Sequence, residues 1–189
     1  MNLWERYNFF DDKKYDPSPL YRKEFDAPKK VERATAFISG IGYYELFING
    51  EKIGDQVLDP GWTNYKKTIL YATHDITGQL KTGNNAVGVM LGSGFYSQLA
   101  YDHWGFYRED GYVGQPKLIC RIKVEYSDGS SEDIVTDLSW KVTGGPVVYN
   151  GPHMGEIYDA TKEIKGWAET GLDDSAWDRV QPAPSPGGG

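Results

Sequence analysis

The chain has 189 residues and a formal net charge of -7, with many glycines (23) and tyrosines (14). This length suits one large domain, and the composition favours a β-sandwich or barrel over a helix bundle. The negative charge argues against nucleic acid as a partner, which needs a basic face, and against an anionic membrane surface. No apolar run approaches the roughly 18 residues that predict a membrane span.

The two ends of the chain differ in composition from the middle. Residues 1–19 are predicted to form an irregular lead-in, because a charged run and two prolines oppose regular structure. This start also lacks the basic and apolar segments of a signal peptide, which leaves the cellular location unknown. Residues 20–180 are predicted to form one β-sandwich domain that begins with a strand at 20–25. Residues 181–189 are rich in proline and glycine and are predicted to be a linker.

The clearest local signal is a β-hairpin in the first third of the chain. Residues 43–48 alternate two sets of apolar and aromatic side chains and lead into Asn49-Gly50. This dipeptide readily supplies the two positive φ angles of a two-residue turn. Residues 51–53 are predicted to start the return strand, and a strand at 35–39 precedes the hairpin.

Further short strands are predicted downstream. One lies at 68–71, and another at 86–91 lacks alternation, which predicts burial on both faces. Residues 118–126 alternate, with one apolar face that includes Cys120. Because this single cysteine sits in an apolar run, a buried structural thiol is predicted. Residues 158–163 fit no single element.

Two aromatic-rich segments are candidates for ligand binding. Residues 95–114 lack strand periodicity and mix aromatic rings with charged groups, and PGWTNY follows the hairpin. Such a loop either packs on its own rings or leaves one or two exposed as a platform for a sugar. In PGWTNY, a tryptophan is more often a packing residue at the core edge than a platform. The candidate carbohydrate-binding residues are Trp62, Asn64, Tyr65, Asp102, Trp104 and Tyr107.

No catalytic arrangement stands out. Glycoside hydrolysis needs two carboxyl groups across one bond. The spacing of the many acids singles out no pair, and Glu156 and Asp159 in GEIYDA come nearest to a candidate pair. Carboxylates in this context are predicted to bond nearby backbone at a strand end. One cysteine and scattered histidines supply no zinc spacing, and LGSGF lacks the spacing of a nucleophile elbow.

Several motifs in fixed order resemble the N-terminal domain of the bacterial α-L-rhamnosidases, glycoside hydrolases that remove terminal L-rhamnose. They are FISGIGYYELFINGEKIGDQVLDPGWTNY, LYATHDIT, LKTGNNAVGVMLGSGFY, TDLSWK, GEIYDA and GW…DDSAW. The resemblance implies an antiparallel β-sandwich, specifically a galactose-binding-like jelly roll. It also implies a non-catalytic domain joined by residues 181–189 to a catalytic (α/α) barrel that this sequence does not contain. Two functions stay open, carbohydrate binding and structural bracing of that barrel.

The resemblance also raises the question of calcium, because some domains of this kind hold rhamnose through Ca²⁺. Oxygen ligands suit this ion, and the candidate metal ligands are Asn64, Glu109 and Asp110. Thr63-Asn64 stands where an acidic residue is common in the family. Fewer carboxylates weaken a calcium site.

Overall fold

The computed structural model describes residues 17–97, 115–152 and 155–185. Those residues form twelve β-strands and one short 3-10 helix (Ala160–Lys162). The strands are β1 (Pro19–Ala27), β2 (Val31–Ile41), β3 (Tyr43–Ile48), β4 (Glu51–Lys52), β5 (Ala72–Asp75), β6 (Gly83–Gly92), β7 (Lys117–Tyr126), β8 (Ser131–Val135), β9 (Lys141–Gly144), β10 (Val147–Gly151), β11 (Gly155–Tyr158) and β12 (Asp178–Arg179).

The strands form two main sheets that pack face to face. The larger sheet has the order β12-β9-β1-β6-β3-β4, and the smaller has the order β5-β2-β7-β8. The pairings in both sheets are antiparallel, and β10 and β11 form a separate antiparallel pair. The predicted antiparallel β-sandwich is therefore confirmed.

One core lies between the sheets and contains side chains from both. The larger sheet contributes Leu46 and Val89, and the smaller contributes Ala36, Cys120 and Ile122. Alternation places these side chains on the inner face of each strand, because successive residues of a strand point to opposite sides. The Cys120 thiol is buried, as predicted, and burial raises its pKa to about 12.

The central strand β6 is buried on both faces, as the lack of alternation predicts. Its residues 85–89 are all buried. The outer face is covered by residues 164–177, whose Trp167 and Ala168 lie over Gly88. A β-carbon at position 88 would stand 2.6 Å from the Ala168 Cβ. Only glycine therefore lets this covering segment lie flat on the sheet.

The covering segment is tied to β1 by one buried arginine. The Arg22 side chain is fully buried and donates to the backbone oxygens of Trp167 (3.1 Å) and Glu169 (2.9 Å). It also pairs with the carboxylates of Asp174 and Glu24. A buried guanidinium needs hydrogen-bond partners for its nitrogens. These four acceptors engage all three nitrogens and fix the segment to the sheet.

The predicted hairpin turn has the expected backbone. Asn49 has a φ of 51° and Gly50 has a φ of 85°. The Asn49 side chain adds contacts beyond the turn, because its Nδ2 donates to Asn85 Oδ1 (2.9 Å) and to the Gln79 carbonyl (2.8 Å). The Ala86 amide in turn donates to Asn49 Oδ1 (2.9 Å). The turn is thereby fixed to the start of β6.

The strand predicted at 68–71 is wrong in position. The ladder with β2 forms at Ala72–Asp75 instead. The Asn64 carbonyl accepts from the amides of Lys67 (2.7 Å) and Thr68 (3.0 Å). The chain therefore still turns at the start of the predicted strand, and residues 68–71 join no ladder. Leu70 and Tyr71, two of the residues that suggest a strand, are exposed instead.

Candidate functional site

A long loop between β4 and β5 carries the most exposed large aromatic side chains of the described structure. We call residues 54–71 the Trp62 loop. The Trp62 side chain is 64 % exposed, and its ring centroid lies 5.4 Å from that of Phe95 at an interplanar angle of 48°. Trp62 is therefore supported on one side and open to solvent on the other. It is a surface residue and not a packing residue of the core edge.

The first half of the loop is fixed by a hydrogen-bonded cluster under it. The Tyr44 hydroxyl donates to Asp59 Oδ2 (2.7 Å), and His74 Nε2 lies 2.7 Å from the same hydroxyl oxygen. The hydroxyl has one hydrogen, so when Asp59 accepts it, His74 must be the donor of the second bond. The Tyr44 amide also donates to the Asp59 carbonyl (3.0 Å).

The electrostatics of this cluster keep Tyr44 neutral. Burial, and then the hydrogen bond to the Asp59 carboxylate, raise the pKa of Tyr44 well above its usual range. A neutral phenol can continue to donate at any physiological pH. The sequence analysis did not find this cluster. The only signals were a histidine in β5 and an aspartate before the PGWTNY segment, which are far apart in the chain.

The second half of the loop is fixed by backbone contacts. The Ser39 hydroxyl donates to the Leu70 carbonyl (2.7 Å), and the Thr63 hydroxyl donates to the Thr68 carbonyl. The Asn64 side-chain oxygen accepts from the Lys66 amide (3.2 Å). Asn64 is exposed and serves at least as a turn-forming residue. The loop is thus held at both ends, which keeps Trp62 in place.

Tyr65, the third candidate in this loop, is more buried than Trp62 and Asn64. Its ring meets the buried ring of Tyr96 edge-on, with the centroids 5.2 Å apart. Its hydroxyl is buried and has no hydrogen-bond partner within the described part of the chain. Burial, and then the neighbouring Tyr43, raise the pKa of Tyr65 to about 12. This placement favours a packing role that supports the loop.

The remaining site predictions fall elsewhere. Asp102, Trp104, Tyr107, Glu109 and Asp110 lie outside the described residues, so their sugar-binding and calcium-binding roles stay predictions. The described flanks of that segment do meet the Trp62 loop. Phe95 contacts Trp62 and Tyr96 contacts Tyr65, and the Lys117 Nζ lies 5.8 Å from the Tyr96 ring centroid.

The acidic side chains of the described structure do not form a metal site. Within 17–97, 115–152 and 155–185, no three His, Cys, Asp or Glu side chains are grouped as a metal site. Glu156 is exposed on β11. Asp159 caps the 3-10 helix by accepting from the Thr161 amide (3.0 Å), and this bond, together with the Thr161 hydroxyl, lowers its pKa. Asp159 thus bonds nearby backbone, as its sequence context predicts.

The described structure also has a small concave region. A cavity of about 270 Å³ lies between the start of β1 and the end of β6, with Ser18 and Ser93 among its lining residues. Asn150 bridges these serines, since it accepts from the Ser93 amide (2.7 Å) and donates to the Ser18 hydroxyl (2.8 Å). The cavity is smaller than most ligand pockets.

Among the residues described, no helix is both long enough and apolar enough to cross a bilayer.

Comparison with known proteins gives consistent matches. Residues 29–188 match the family model described as alpha-L-rhamnosidase N-terminal domain. An alpha-L-rhamnosidase of Formosa agariphila is 41 % identical over 158 residues, which are 83 % of this chain and 17 % of that protein. An alpha-L-rhamnosidase of Streptomyces avermitilis is 39 % identical over 163 residues, which are 86 % of this chain and 15 % of that protein.

Solved structures agree with these sequence matches. The alpha-L-rhamnosidase from Dictyoglumus thermophilum superposes with a TM-score of 0.83 and 49 % identity, covering 91 % of this chain and 18 % of that one. The Streptomyces avermitilis alpha-L-rhamnosidase complexed with L-rhamnose superposes with a TM-score of 0.80 and 36 % identity, covering 91 % of this chain and 16 % of that one. The chain thus spans less than a fifth of the length of these relatives.

Proposed function

Because this chain belongs to the alpha-L-rhamnosidase N-terminal domain family, we propose that it is a non-catalytic accessory domain that binds carbohydrate ending in L-rhamnose. The parent polypeptide is then an α-L-rhamnosidase, whose catalytic region lies in the part of the relatives that this chain does not span. A relative of 36 % identity was solved with L-rhamnose, which supports this choice of sugar.

The observation that carries the proposal is the open ring of Trp62. Sugar rings stack on flat apolar faces, and such a face binds well only when it is held in place beforehand. Trp62 has both properties, since it is 64 % exposed and rests on Phe95. The Tyr44–Asp59 hydrogen bond fixes the loop that carries it.

The polar groups beside Trp62 fit the hydroxyls of a sugar. Thr63 and Asn64 follow it directly, and both side chains carry oxygens in fixed positions because of their contacts within the loop. Stacking of one ring contributes on the order of 1 kcal/mol beyond area burial. A single platform therefore gives a dissociation constant on the order of millimolar.

The test is calorimetric titration of the 189-residue chain with L-rhamnose, with Ca²⁺ and with EDTA, and with L-fucose as the comparison sugar. Trp62→Ala should weaken binding about fivefold, which corresponds to the loss of about 1 kcal/mol of stacking. Tyr158→Ala is the matched control, because Tyr158 is an exposed aromatic residue of the separate β10–β11 pair. Binding that is unchanged in Trp62→Ala, or equal for the two sugars, would contradict the proposal. Loss of binding in EDTA would support the predicted calcium site.

The same chain should not hydrolyse rhamnosides. Of the candidate pair Glu156 and Asp159, Asp159 is used as a helix cap. Assay with p-nitrophenyl α-L-rhamnoside should give no turnover above buffer. Turnover that persists through purification and disappears in Glu156→Gln would show a hydrolytic site in this chain.

Structural bracing of the rest of the polypeptide is the second candidate. It is favoured by two exposed apolar side chains on the outer face of the smaller sheet, Ile119 and Val135. The two roles need different surfaces, so one chain can perform both.

A further inference from the structure

The outer face of the β5-β2-β7-β8 sheet has a polar end and an apolar end. At the polar end, Glu125 accepts from Arg33 (2.6 Å) and Lys123 (2.9 Å), and Arg121 pairs with Asp133 (2.8 Å). These exposed pairs give a solvated surface and contribute little to stability. This half of the face is therefore suited to contact with solvent.

The other half of the face is apolar. Tyr71 is 66 % exposed, Ile119 is 64 % and Val135 is 40 %. Phe37 joins them, since its ring centroid lies 6.4 Å from that of Tyr71. We call these four residues the apolar end.

The strand register places the members of the apolar end around the Arg121–Asp133 ion pair. Arg121 on β7 is paired with Phe37 on β2 and with Val135 on β8, so those two side chains lie on either side of it, and Ile119 is the next residue of β7 on the same face. Ile119 is paired with Ser39, which donates to the Leu70 carbonyl. The patch therefore runs across three strands and onto the end of the Trp62 loop.

The outer faces of the two sheets differ in whether another segment of the described chain covers them. The outer face of the larger sheet is covered by Trp167 and Ala168. The apolar end of the smaller sheet has no such cover among the described residues, and its side chains are open to water. A contiguous exposed apolar patch on a sheet face is typical of a surface that is buried in a larger assembly.

The path of the chain brings further polypeptide to this patch. Residues 181–185 lie against the start of β7, where the Lys117 Nζ donates to the Pro184 carbonyl (2.8 Å). Lys117 is two residues from Ile119 in the same strand. In the longer relatives, the polypeptide that follows an N-terminal domain of this kind would leave it beside the apolar end.

We propose that the apolar end is the surface on which the following part of the same polypeptide packs in the parent enzyme. This rests on the proposed accessory role and specifies the partner and the surface for bracing. A patch of branched aliphatic and aromatic side chains fits the apolar surface of a neighbouring domain.

The experiment uses the parent enzyme with a protease recognition site inserted after Gly189, cleaved and then analysed by size exclusion. The cleaved wild-type domain should elute with the rest of the enzyme. Ile119→Lys should release it, with association about tenfold weaker or more because a charge then enters an apolar contact. Ser131→Lys is the control, because it is an exposed residue of the same sheet paired with Glu125 at the polar end.

Four results would overturn the proposal. The first is separation of the cleaved wild-type domain, and the second is equal retention of the Ile119→Lys domain. The third is a lower melting temperature of the isolated 189-residue chain on Ile119→Lys, because the patch is then covered within this chain. The fourth is a dimer of the isolated chain that Ile119→Lys dissociates, because the patch then joins two copies. L-Rhamnose titration of the Ile119→Lys chain separates the two roles, since bracing can fail while sugar binding stays intact.

Discussion

Trp167 lies over Gly88 so closely that a β-carbon at position 88 would stand 2.7 Å from the ring carbon Cζ3. Phe47 on the neighbouring strand meets the same indole edge-on, with the centroids 5.1 Å apart. The indole therefore fits into a groove whose floor is a glycine and whose wall is an aromatic ring. This contact closes the outer side of the larger sheet.

Gly88→Ala should destabilise the domain by about 1–3 kcal/mol, because the added methyl overpacks against Trp167 and Ala168. Gly78→Ala is the control, since a β-carbon there meets no atom within 4 Å and the change should be neutral or slightly stabilising. Urea unfolding measures both. Equal stabilities of the two variants would show that residues 164–177 do not rest on β6.

Arg22→Met should cost about 3 kcal/mol or more, because the Glu24 and Asp174 carboxylates and two backbone carbonyls lose a common donor. Arg22→Lys should restore only part of this, since one ammonium group cannot span four acceptors. The comparison variant is Arg33→Met, whose exposed ion pair with Glu125 should contribute less than about 1 kcal/mol. If Arg22→Met and Arg33→Met have the same small effect on thermal unfolding, the buried arginine does not fix residues 164–177 to the sheet.

Acid should weaken the domain through Glu24. Burial raises the pKa of Glu24, but the hydrogen bonds from Arg22, Asn84 and the Gly171 amide outweigh it, so its pKa is lowered in the folded state. A carboxyl with a depressed folded-state pKa stabilises the fold above its unfolded pKa of about 4.3. This stabilisation is lost as the pH falls through the lower, folded-state value.

Glu24→Gln should therefore flatten the acid side of the stability curve, measured by urea unfolding between pH 7 and pH 2. Asp75→Asn is a useful comparison, because the pKa of Asp75 is also lowered but mainly by its own turn partner Thr77. The two variants should differ at pH 7, where Glu24→Gln loses a pairing with buried Arg22. An acid limb as steep in Glu24→Gln as in the wild type would assign the acid sensitivity to other carboxyls.

Gly50→Val should destabilise the hairpin by about 1–2 kcal/mol or more, because a β-branched residue resists the φ of 85° found there. Gly50→Asn separates this cause from crowding. Asparagine tolerates positive φ, while its β-carbon meets the same Glu169 side chain 2.8 Å away. Thermal melts should rank wild type first, then Asn, then Val. If Asn and Val prove equally costly, contact with Glu169 and not the backbone sets the penalty.

Cys120 should not react with Ellman's reagent at pH 8 while the domain is folded. Its thiol is buried, and a pKa of about 12 leaves almost no reactive thiolate at that pH. Labelling should rise in urea along the same curve as unfolding followed by tryptophan fluorescence. Rapid labelling in buffer alone would mean that β7 opens locally.

The elements that sequence reasoning located are those whose signal is local. Six alternating residues and Asn49-Gly50 predict the hairpin. The alternation that ends at Tyr126 predicts β7. In β6, an unbroken apolar run predicted two-sided burial, which the Trp167 cover explains. In each case the deciding residues are neighbours in the chain.

The misplaced strand shows where local signals mislead. Leu70 and Tyr71 have the composition of a strand, but they are exposed and the ladder begins only at Ala72. Composition cannot tell an apolar residue that enters the core from one that is presented at the surface. The same limit applies to Trp62, whose exposure depends on Phe95 and on the cluster beneath the loop.

Residues paired over long sequence distances were outside the reach of pattern reasoning. Three of the four partners of Arg22 are 145 to 152 residues away, and nothing in a lone arginine of a strand indicates them. The Tyr44–Asp59–His74 cluster likewise joins three elements. Both are polar groups inside the fold, where the partner and not the residue type decides the outcome.

The Arg22 contacts also set the order in which this domain can mature on the ribosome. β1 is among the first parts of the described chain to emerge, yet three of the four acceptors of its guanidinium are at residues 167 to 174. Contacts of such separation close large loops and form late. A nascent chain stalled before these residues would expose Gly88 and an Arg22 side chain whose only carboxylate partner is Glu24, which makes it a target for chaperones. Folding of this domain should therefore be a late event that follows release of nearly its entire length.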